Sequence, residues 1–270
     1  MVRWCDMIKT SAPGKIILFG EHAVVYDKLG IAAAINLRTH CKVEKSKNII
    51  IENLGTLKVV EKDLEEIYLD IEQLVKEKKY LSLVKMLNDD PNVCVKYIIA
   101  IIMQECDFSP VKVKTSSQLR KGMGTSASVF ASLSKALSDY FNLNLSKKKI
   151  SELAYRGDVV AHGGTAGGLD NAIVTFGGYI KTRKSTGPET ISIDVNLPIV
   201  IGDTKKPAMT GVTVPMVRKK VDAGDRKVIA AIDEIDIISE SALEAISSGD
   251  LVELGKLMDE NQEHLRTIDG

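Results

Sequence analysis

The chain has 270 residues, of which 44% are hydrophobic, and its 36 Lys and Arg residues balance its 36 Asp and Glu residues. This length and apolar content suffice for a substantial core, in one large domain or two modest ones. Because the formal net charge is zero, composition argues against nucleic acid or an anionic membrane as the main partner. A small anionic ligand needs only a local field and is compatible with this balance.

The cysteines are scattered and form no C-x-x-C pair, and no Cys/His cluster has zinc-binding spacing. This pattern is typical of a reducing compartment in which thiols pack as small hydrophobic groups. The first ten residues, MVRWCDMIKT, lack the apolar core of a signal peptide. No apolar run approaches the roughly 20 residues of a transmembrane helix. We therefore expect a cytoplasmic protein.

In the first part of the chain, short apolar segments predict strands and helical periodicity predicts helices. The predicted strands are 15–19, 30–37, 39–46 and 48–54, and the turn KSKN at 45–48 predicts a hairpin. The predicted helices are 61–79 and a segment from Pro91 to about residue 105, and 111–117 alternates like a strand.

The second part mixes helices and strands without regular alternation, which favours an α+β fold over a doubly wound sheet. Helices are predicted after the stretch LRKGMGTSAS to about residue 141, from an N-cap at Ser146 to about 160, and over 225–247 and 250–265. Residues 171–182 are predicted to be a strand pair or a bent strand with Gly177 and Gly178 at its bend. A linker is predicted at 183–190, followed by strands at 191–195 and 198–203.

The stretch LRKGMGTSAS has the composition of an anion-binding turn. Gly122 and Gly124 allow positive φ and close approach of a ligand. Thr125 and Ser126 then lie at a helix N-terminus, where free N–H groups and the helix dipole favour an anion. Lys121 adds a positive charge, and the Ser126 hydroxyl can bind phosphate or Mg²⁺. A tight turn with a capping hydroxyl is an equally good interpretation of this stretch alone, and the spacing is not that of a Walker A loop.

A second cluster surrounds the first apolar strand. In SAPGKIILFGEHAVVY, Lys15 begins the strand and Glu21 and His22 follow its end. Each residue alone would be assigned to the surface or to a cap. Three such groups bracketing one short strand indicate a functional site.

A third cluster lies in DVVAHGGTAGGLDN, where glycines keep side chains away from the backbone and Asp170 ends the loop. Asp158 precedes His162 by one helical turn and therefore faces the same side. For either aspartate alone, a capping or solvated role is the better interpretation, by about two to one.

Taken together, SAPGKIILFGEHAVVY, SSQLRKGMGTSAS and HGGTAGGLDNAIVTFGGYI resemble the first two signature motifs and the catalytic loop of the GHMP kinase superfamily. Among its members, the mevalonate kinase family is the most similar, in GEHAVVY, IAAAINLRT and GDTKKPAMTGVTVPMVR. LMDENQEHL at 257–265 is similar to the late helix of that family. The resemblance spans nearly the whole chain.

The resemblance implies transfer of the γ-phosphoryl group of ATP to the 5-hydroxyl of mevalonate, with Mg²⁺. The catalytic aspartate of the family matches Asp170, which would accept the hydroxyl proton or orient the nucleophile. Its active-site lysine matches Lys15, which would keep the aspartate ionised and polarise the hydroxyl. Such transfer depends mainly on positioning and charge stabilisation.

The resemblance also assigns binding residues. The ATP-binding residues would be Ser117, Lys121, Gly122, Met123, Gly124, Thr125 and Ser126. The magnesium ligands would be Ser126 and Asp158, and Glu21, His22 and Thr210 match positions near mevalonate.

The implied fold is the two-domain α+β GHMP kinase architecture. Its ATP-binding domain, of the ribosomal protein S5 domain 2-like type, would span residues 1–184, and an incomplete ferredoxin-like domain would span 185–270. The family is cytosolic and often homodimeric, and its partners are small molecules, not nucleic acids or membranes.

Several positions depart from the family pattern. Arg120 and Lys121 replace prolines, Asp158 replaces the usual glutamate, and Ala166 stands where serine is common. The loop from His162 to Asp170 is one residue longer than usual. The chain reaches Gly270 without the second glycine-rich segment of the family, so weak or no kinase activity is expected. The alternatives are another GHMP kinase, acting on phosphomevalonate or a sugar, or a non-catalytic or split-chain subunit.

Overall fold

The computed structural model describes residues 7–164, 166–193, 197–202 and 210–269, without the side chains of 210–212 and 269. The described residues fall into two compact units. The first contains those within 1–14, 35–166 and 174–176, and the second those within 15–34, 167–173 and 177–270. The predicted domain division after residue 184 stays a prediction.

Strands and helices are mixed along the chain, as the α+β prediction requires. The strands are β1 Met7–Phe19, β2 Gly30–Lys45, β3 Ile49–Asn53, β4 Gly55–Val59, β5 Val111–Ser117, β6 Tyr179–Arg183 and β7 Gly187–Ile191. The helices are α1 Glu61–Lys76, α2 Tyr80–Asp89, α3 Val93–Met103, α4 Thr125–Tyr140, α5 Lys147–Ala161, α6 Leu169–Phe176, α7 Thr210–Asp222, α8 Arg226–Ser248 and α9 Leu251–Asp269. A 3-10 turn spans Ala23–Tyr26.

In the first unit, the strands follow the order β4-β3-β5-β2. Val43 of β2 faces Val113 of β5 in an antiparallel pair, and β3 runs parallel to β5 on its other side. The predicted hairpin at 45–48 is therefore wrong, because β5 separates the two strands that this turn connects. The turn signal is local, whereas Lys45 at the end of β2 pairs with Val111 of β5, 66 residues later in the chain.

Helix α3 packs against α1, α4 and α5 in this unit, and α4 packs against α5. Most of α3 is buried, which explains its continuous apolar sequence VCVKYIIAIIM. A Cβ atom added at Gly157 of α5 would lie 2.9 Å from the Phe130 ring of α4, so glycine permits this close helix contact. The N-cap at Ser146 is confirmed, because its side chain accepts a hydrogen bond from the Lys149 amide.

In the second unit, the first residues of β2 pair with β6, and β6 pairs with β7. Helices α8 and α9 pack against each other. One buried cluster joins strand residues, including Phe19 and Ile31, to Ile238, Ala242 and Leu257 of these helices. None of the described helices combines the length and hydrophobicity needed to cross a membrane.

The predictions between residues 171 and 203 are only partly confirmed. The end of the predicted strand pair at 171–182 is strand β6, Tyr179–Arg183, whereas Leu169–Phe176 is helix α6; most of LDNAIVTF is apolar or β-branched, and such a short segment shows no clear period. The proposed linker at 183–190 is the β6–β7 hairpin, in which Arg183 pairs with Gly187. Strand β7 ends at Ile191 and residues 197–202 contain no strand, while 194–196 and 203 lie outside the described residues.

Candidate active site

The glycine turn leads from β5 into α4. Gly122 has φ 91° and Gly124 has φ 73°, so both occupy the left-handed region that glycine tolerates best. Gly124 is the N-cap of α4 and supplies no capping side chain. The first N–H groups of a helix have no partner inside the helix, so this end of α4 has the chemistry of an anion-binding site.

Hydrogen bonds within the turn fix its conformation. The Met123 amide donates to the Arg120 carbonyl at 3.2 Å, and the Thr125 hydroxyl donates to the same carbonyl at 3.0 Å. Lys121 and Ser126 are both exposed. The Ser126 hydroxyl thus lies at the helix end in a position open to a ligand, whereas Thr125 shapes the turn.

Two residues that support this turn were missed by sequence reasoning. The buried Ser128 hydroxyl donates to the Pro13 carbonyl at 2.6 Å and lies 2.9 Å from the Gly124 carbonyl. A Cβ atom at Gly14 would lie 2.2 Å from the Leu119 side chain. The small residues in PG and in TSAS were therefore the available signal that β1 passes close to the turn.

Ser117 ends β5 beside the turn. Its hydroxyl lies 2.7 Å from the Thr39 hydroxyl and accepts a hydrogen bond from the Leu119 amide at 3.1 Å. These contacts give Ser117 a structural role in the start of the turn. Nucleotide contact by this residue stays a prediction.

Asp158 lies near the end of α5 in the same unit and is only 3% exposed. Its Oδ1 atom accepts no hydrogen bond from the described part of the chain, although His162 Nδ1 lies 3.4 Å away. The prediction that Asp158 and His162 share a helix face is confirmed. A buried carboxylate oxygen without a hydrogen-bond donor suits a cation.

The magnesium assignment is compatible with these residues. Mg²⁺ is commonly held by one or two protein oxygens together with substrate phosphates. No group of three His, Cys, Asp or Glu residues suited to a metal occurs in the described ranges, so a cation here would need oxygens from a ligand. Asp158 and the Ser126 hydroxyl are the candidates for holding it.

In the second unit, Lys15 and Asp170 form an ion pair. Lys15 Nζ lies 3.1 Å from Asp170 Oδ1. The lysine side chain is 9% exposed and the aspartate side chain 27% exposed, so the carboxylate is the more accessible partner. Asp170 is in the first turn of α6, where the helix dipole stabilises a negative charge. The predicted pairing of these two residues is confirmed.

Glu21 and His22 form a strained turn after β1. Gly20 has φ 89° and His22 has φ 58°, and positive φ at a non-glycine residue is uncommon. A Cβ atom at Gly20 would lie 2.2 Å from the Leu29 carbonyl oxygen. Backbone strain of this kind tends to occur at functional sites, which is consistent with a role for this turn.

Burial raises the pKa of the Glu21 carboxyl above its usual range. Hydrogen bonds from its own backbone and from Asn261, together with the Lys15 charge, oppose this shift only in part. Asn261 Nδ2 donates to Glu21 Oε2 at 3.3 Å. Sequence reasoning noted the helix LMDENQEHL but did not identify Asn261, because nothing local relates α9 to Glu21.

The structure places the predicted residues in two sets. The first unit contains Ser117, the turn 121–126 and Asp158, and the second contains Lys15, Glu21, His22 and Asp170. Thr210 begins α7, but its side chain lies outside the described residues. The first set can bind an anion with a hard cation, and the second can position and deprotonate a hydroxyl group.

Comparison with known proteins relates this arrangement to a family. The GHMP kinases N terminal domain matches residues 92–178. The chain is 32% identical over 248 residues to a mevalonate kinase of Pyrococcus furiosus, covering 88% of this chain and 70% of that protein. It is 31% identical over 246 residues to a mevalonate kinase of Thermococcus sibiricus, with the same coverage of both chains.

The fold agrees with solved structures of such enzymes. The crystal structure of the Methanococcus jannaschii mevalonate kinase superposes with a TM-score of 0.70 at 22% identity, covering 99% of this chain and 80% of that one. The predicted α+β architecture of the GHMP kinases is therefore confirmed. The degree of identity to the curated relatives goes beyond a shared fold. The chain belongs to the GHMP kinases, which are ATP-dependent small-molecule phosphotransferases.

Proposed function

We propose that the protein phosphorylates the 5-hydroxyl of mevalonate with ATP. The observation that carries the proposal is the Lys15–Asp170 pair, in which an ammonium lies 3.1 Å from a carboxylate on a helix N-terminus. A protein that only bound nucleotide would need neither residue. Identities of 31% and 32% to proteins named mevalonate kinase support the choice of acceptor.

Asp170 acts on the acceptor hydroxyl. As the hydroxyl oxygen forms its bond to the γ-phosphorus, the bond from that phosphorus to the β,γ-bridging oxygen breaks and ADP leaves. Asp170 takes the hydroxyl proton or orients the oxygen for attack. Lys15 holds the carboxylate in place and offers positive charge to the reacting oxygen. Positioned proton transfer of this kind typically contributes about 10²–10⁴ in rate.

The glycine turn binds the phosphates of ATP. Gly122 and Gly124 let backbone N–H groups approach the phosphate oxygens, and the α4 N-terminus and Lys121 supply positive potential. Ser126 and Asp158 would hold Mg²⁺, which would supply positive charge against the phosphates when bound.

Glu21, His22 and Thr210 are proposed to bind mevalonate. Glu21 and His22 belong to the same unit as the Lys15–Asp170 pair. Hydrogen-bonding groups on the substrate would be recognised by the carboxylate and the imidazole. A site that pairs every polar group of one acceptor rejects analogues that leave such groups unpaired.

A substrate panel tests the proposal. ADP release is measured with mevalonate, 5-phosphomevalonate and galactose, and ³¹P NMR identifies the product. We expect 5-phosphomevalonate to form from mevalonate, and Asp170→Asn to slow its formation by about 10²–10⁴. Preference for phosphomevalonate or galactose would overturn the choice of substrate. ATP binding without turnover of any acceptor would overturn the catalytic assignment and favour a non-catalytic subunit.

A further inference from the structure

Asn261 of α9 connects a helix without an assigned function to the predicted substrate residues. Its side chain is 4% exposed, and its Nδ2 atom donates to Glu21 Oε2 at 3.3 Å. The two residues are 240 positions apart in the sequence. The hydrogen bond is thus a tertiary contact within the second unit.

The other half of the same amide lacks a partner. Asn261 Oδ1 is buried and accepts no hydrogen bond within the described ranges. The orientation follows from chemistry, since an ionised Glu21 has only acceptor atoms and must face the NH₂ group. Buried amide oxygens are nearly always paired in folded proteins, so an unpaired one beside a predicted substrate residue indicates a place for a ligand donor.

The surroundings of Asn261 combine charge with low exposure. Lys15, which is 7% exposed, acts electrostatically on Glu21 and pairs with Asp170 at 3.1 Å. Asn261, Glu21, Lys15 and Asp170 therefore form one series of polar interactions in the second unit. Low exposure strengthens each hydrogen bond in such a series and makes an unpaired group costly.

We propose that Asn261 is a positioning residue for the acceptor substrate: its amide nitrogen holds Glu21, and its amide oxygen accepts a hydrogen bond from a substrate hydroxyl. The inference rests on the proposed function, because it assigns a further residue to the same substrate site. The hydroxyl concerned is one that is not phosphorylated, since the reacting oxygen is assigned to Asp170. The ligand class is a small polyhydroxylated or hydroxy-acid molecule.

The test compares Asn261→Leu with Asn261→Asp. Leucine matches asparagine in size but removes both the donor and the acceptor. Aspartate keeps an acceptor oxygen but places a second carboxylate beside Glu21. Gln262→Leu is the matched control, because Gln262 is the exposed neighbour on α9 and loses an amide in the same way.

We expect Asn261→Leu to raise KM for the acceptor about tenfold, which corresponds to the loss of one hydrogen bond, and to leave KM for ATP unchanged. Asn261→Asp should show a similar defect that lessens as pH falls and a carboxyl is protonated. Gln262→Leu should behave like the wild type. Equal changes in both KM values, or an unchanged acceptor KM in a folded variant, would overturn the proposal.

A second measurement separates this inference from the proposed function. If the wild type phosphorylates another acceptor instead of mevalonate, the choice of substrate fails and the KM comparison is made with that acceptor. If no acceptor is phosphorylated, the Glu21 carboxyl is titrated by ¹³C NMR, with Glu21→Gln for assignment. A higher Glu21 pKa in Asn261→Leu would support the hydrogen bond to Glu21, and an unchanged titration would overturn the proposal.

Discussion

Lys15 Nζ lies 3.1 Å from Asp170 Oδ1, and the lysine is the more deeply buried of the two. The pair connects β1 to the first turn of α6. A buried ammonium beside a more accessible carboxylate holds the acidic group in place while leaving it open to a substrate. Substitutions of the two residues should therefore have different effects on catalysis and on stability.

Asp170→Asn should reduce kcat by about 10²–10⁴ while keeping the fold, because the amide has the same shape but is a poor proton acceptor. Lys15→Met should reduce kcat as well and also lower stability, since it leaves Asp170 without its cation. Steady-state kinetics and thermal unfolding separate these effects. Asp259→Asn, an exposed substitution on α9, is the control, and wild-type turnover by Asp170→Asn would contradict the role of Asp170.

Asp158→Asn should weaken Mg²⁺ binding without lowering the stability of the fold. Its buried Oδ1 accepts no hydrogen bond from the described residues, and replacing a buried carboxylate with a neutral amide removes a desolvation cost. The apo variant should therefore unfold at the same or a higher temperature than the wild type. We expect it to need a higher Mg²⁺ concentration for half-maximal activity. An unchanged Mg²⁺ requirement would remove Asp158 from the metal site.

Gly20→Ala and Gly255→Ala should have opposite effects on stability. At Gly20 the added Cβ would lie 2.2 Å from the Leu29 carbonyl oxygen, and φ is 89°. Backbone strain and overpacking together should cost about 3 kcal/mol or more. Gly255 is within helix α9 and has nothing within 4 Å of an added Cβ, so alanine should stabilise by about 0.5–1 kcal/mol. Urea unfolding of the two variants measures this difference directly.

Glu21→Gln should raise stability at neutral pH. Because burial raises the pKa of Glu21 above its ordinary value of 4.5, the folded protein keeps a proton that the unfolded chain releases between these two pKa values. The unfolding free energy contributed by Glu21 therefore falls as pH rises through this window. The difference in unfolding free energy between Glu21→Gln and the wild type should therefore increase as pH rises between the unfolded and folded pKa values of Glu21. Outside this window the difference should be constant.

The matched control for this pH dependence is Glu52→Gln. A hydrogen bond from Lys112 lowers the pKa of Glu52, so Glu52 contributes stability above pH 4.5 that is lost as pH falls through its folded-state pKa. Glu52→Gln should accordingly be less stable than the wild type at neutral pH. Urea unfolding from pH 3 to pH 8 would show opposite trends for the two variants, and parallel trends would refute the pKa assignment of Glu21.

The features that could be predicted from the residues themselves depend on groups that lie close together in the sequence. Glycine at positions 122 and 124 predicts positive φ, and both residues have positive φ in the structure. Asp158 and His162 are related by one helical turn. The pairing of Lys15 with Asp170 came from resemblance to a family, because 155 residues separate them and no local pattern links them.

Other features depended on tertiary packing and could not be predicted. Helix α6 resembled a strand because most of its eight residues are buried, and so short a segment shows no clear helical period. The separation of β2 from β3 depended on β5, which follows much later in the chain. Asn261 went unnoticed because its significance comes from Glu21, which packs against it only in the folded unit.

The bonds around the glycine turn have a kinetic consequence. Ser128 holds the turn to Pro13, while Met123 and Thr125 both bond to Arg120, and the donors and acceptors of all these bonds belong to the chain itself. A ligand that binds a turn already held in its binding conformation loses little binding free energy to ordering that turn. We therefore expect the observed rate of nucleotide association to rise linearly with concentration, without the plateau that a slow rearrangement of the turn would impose.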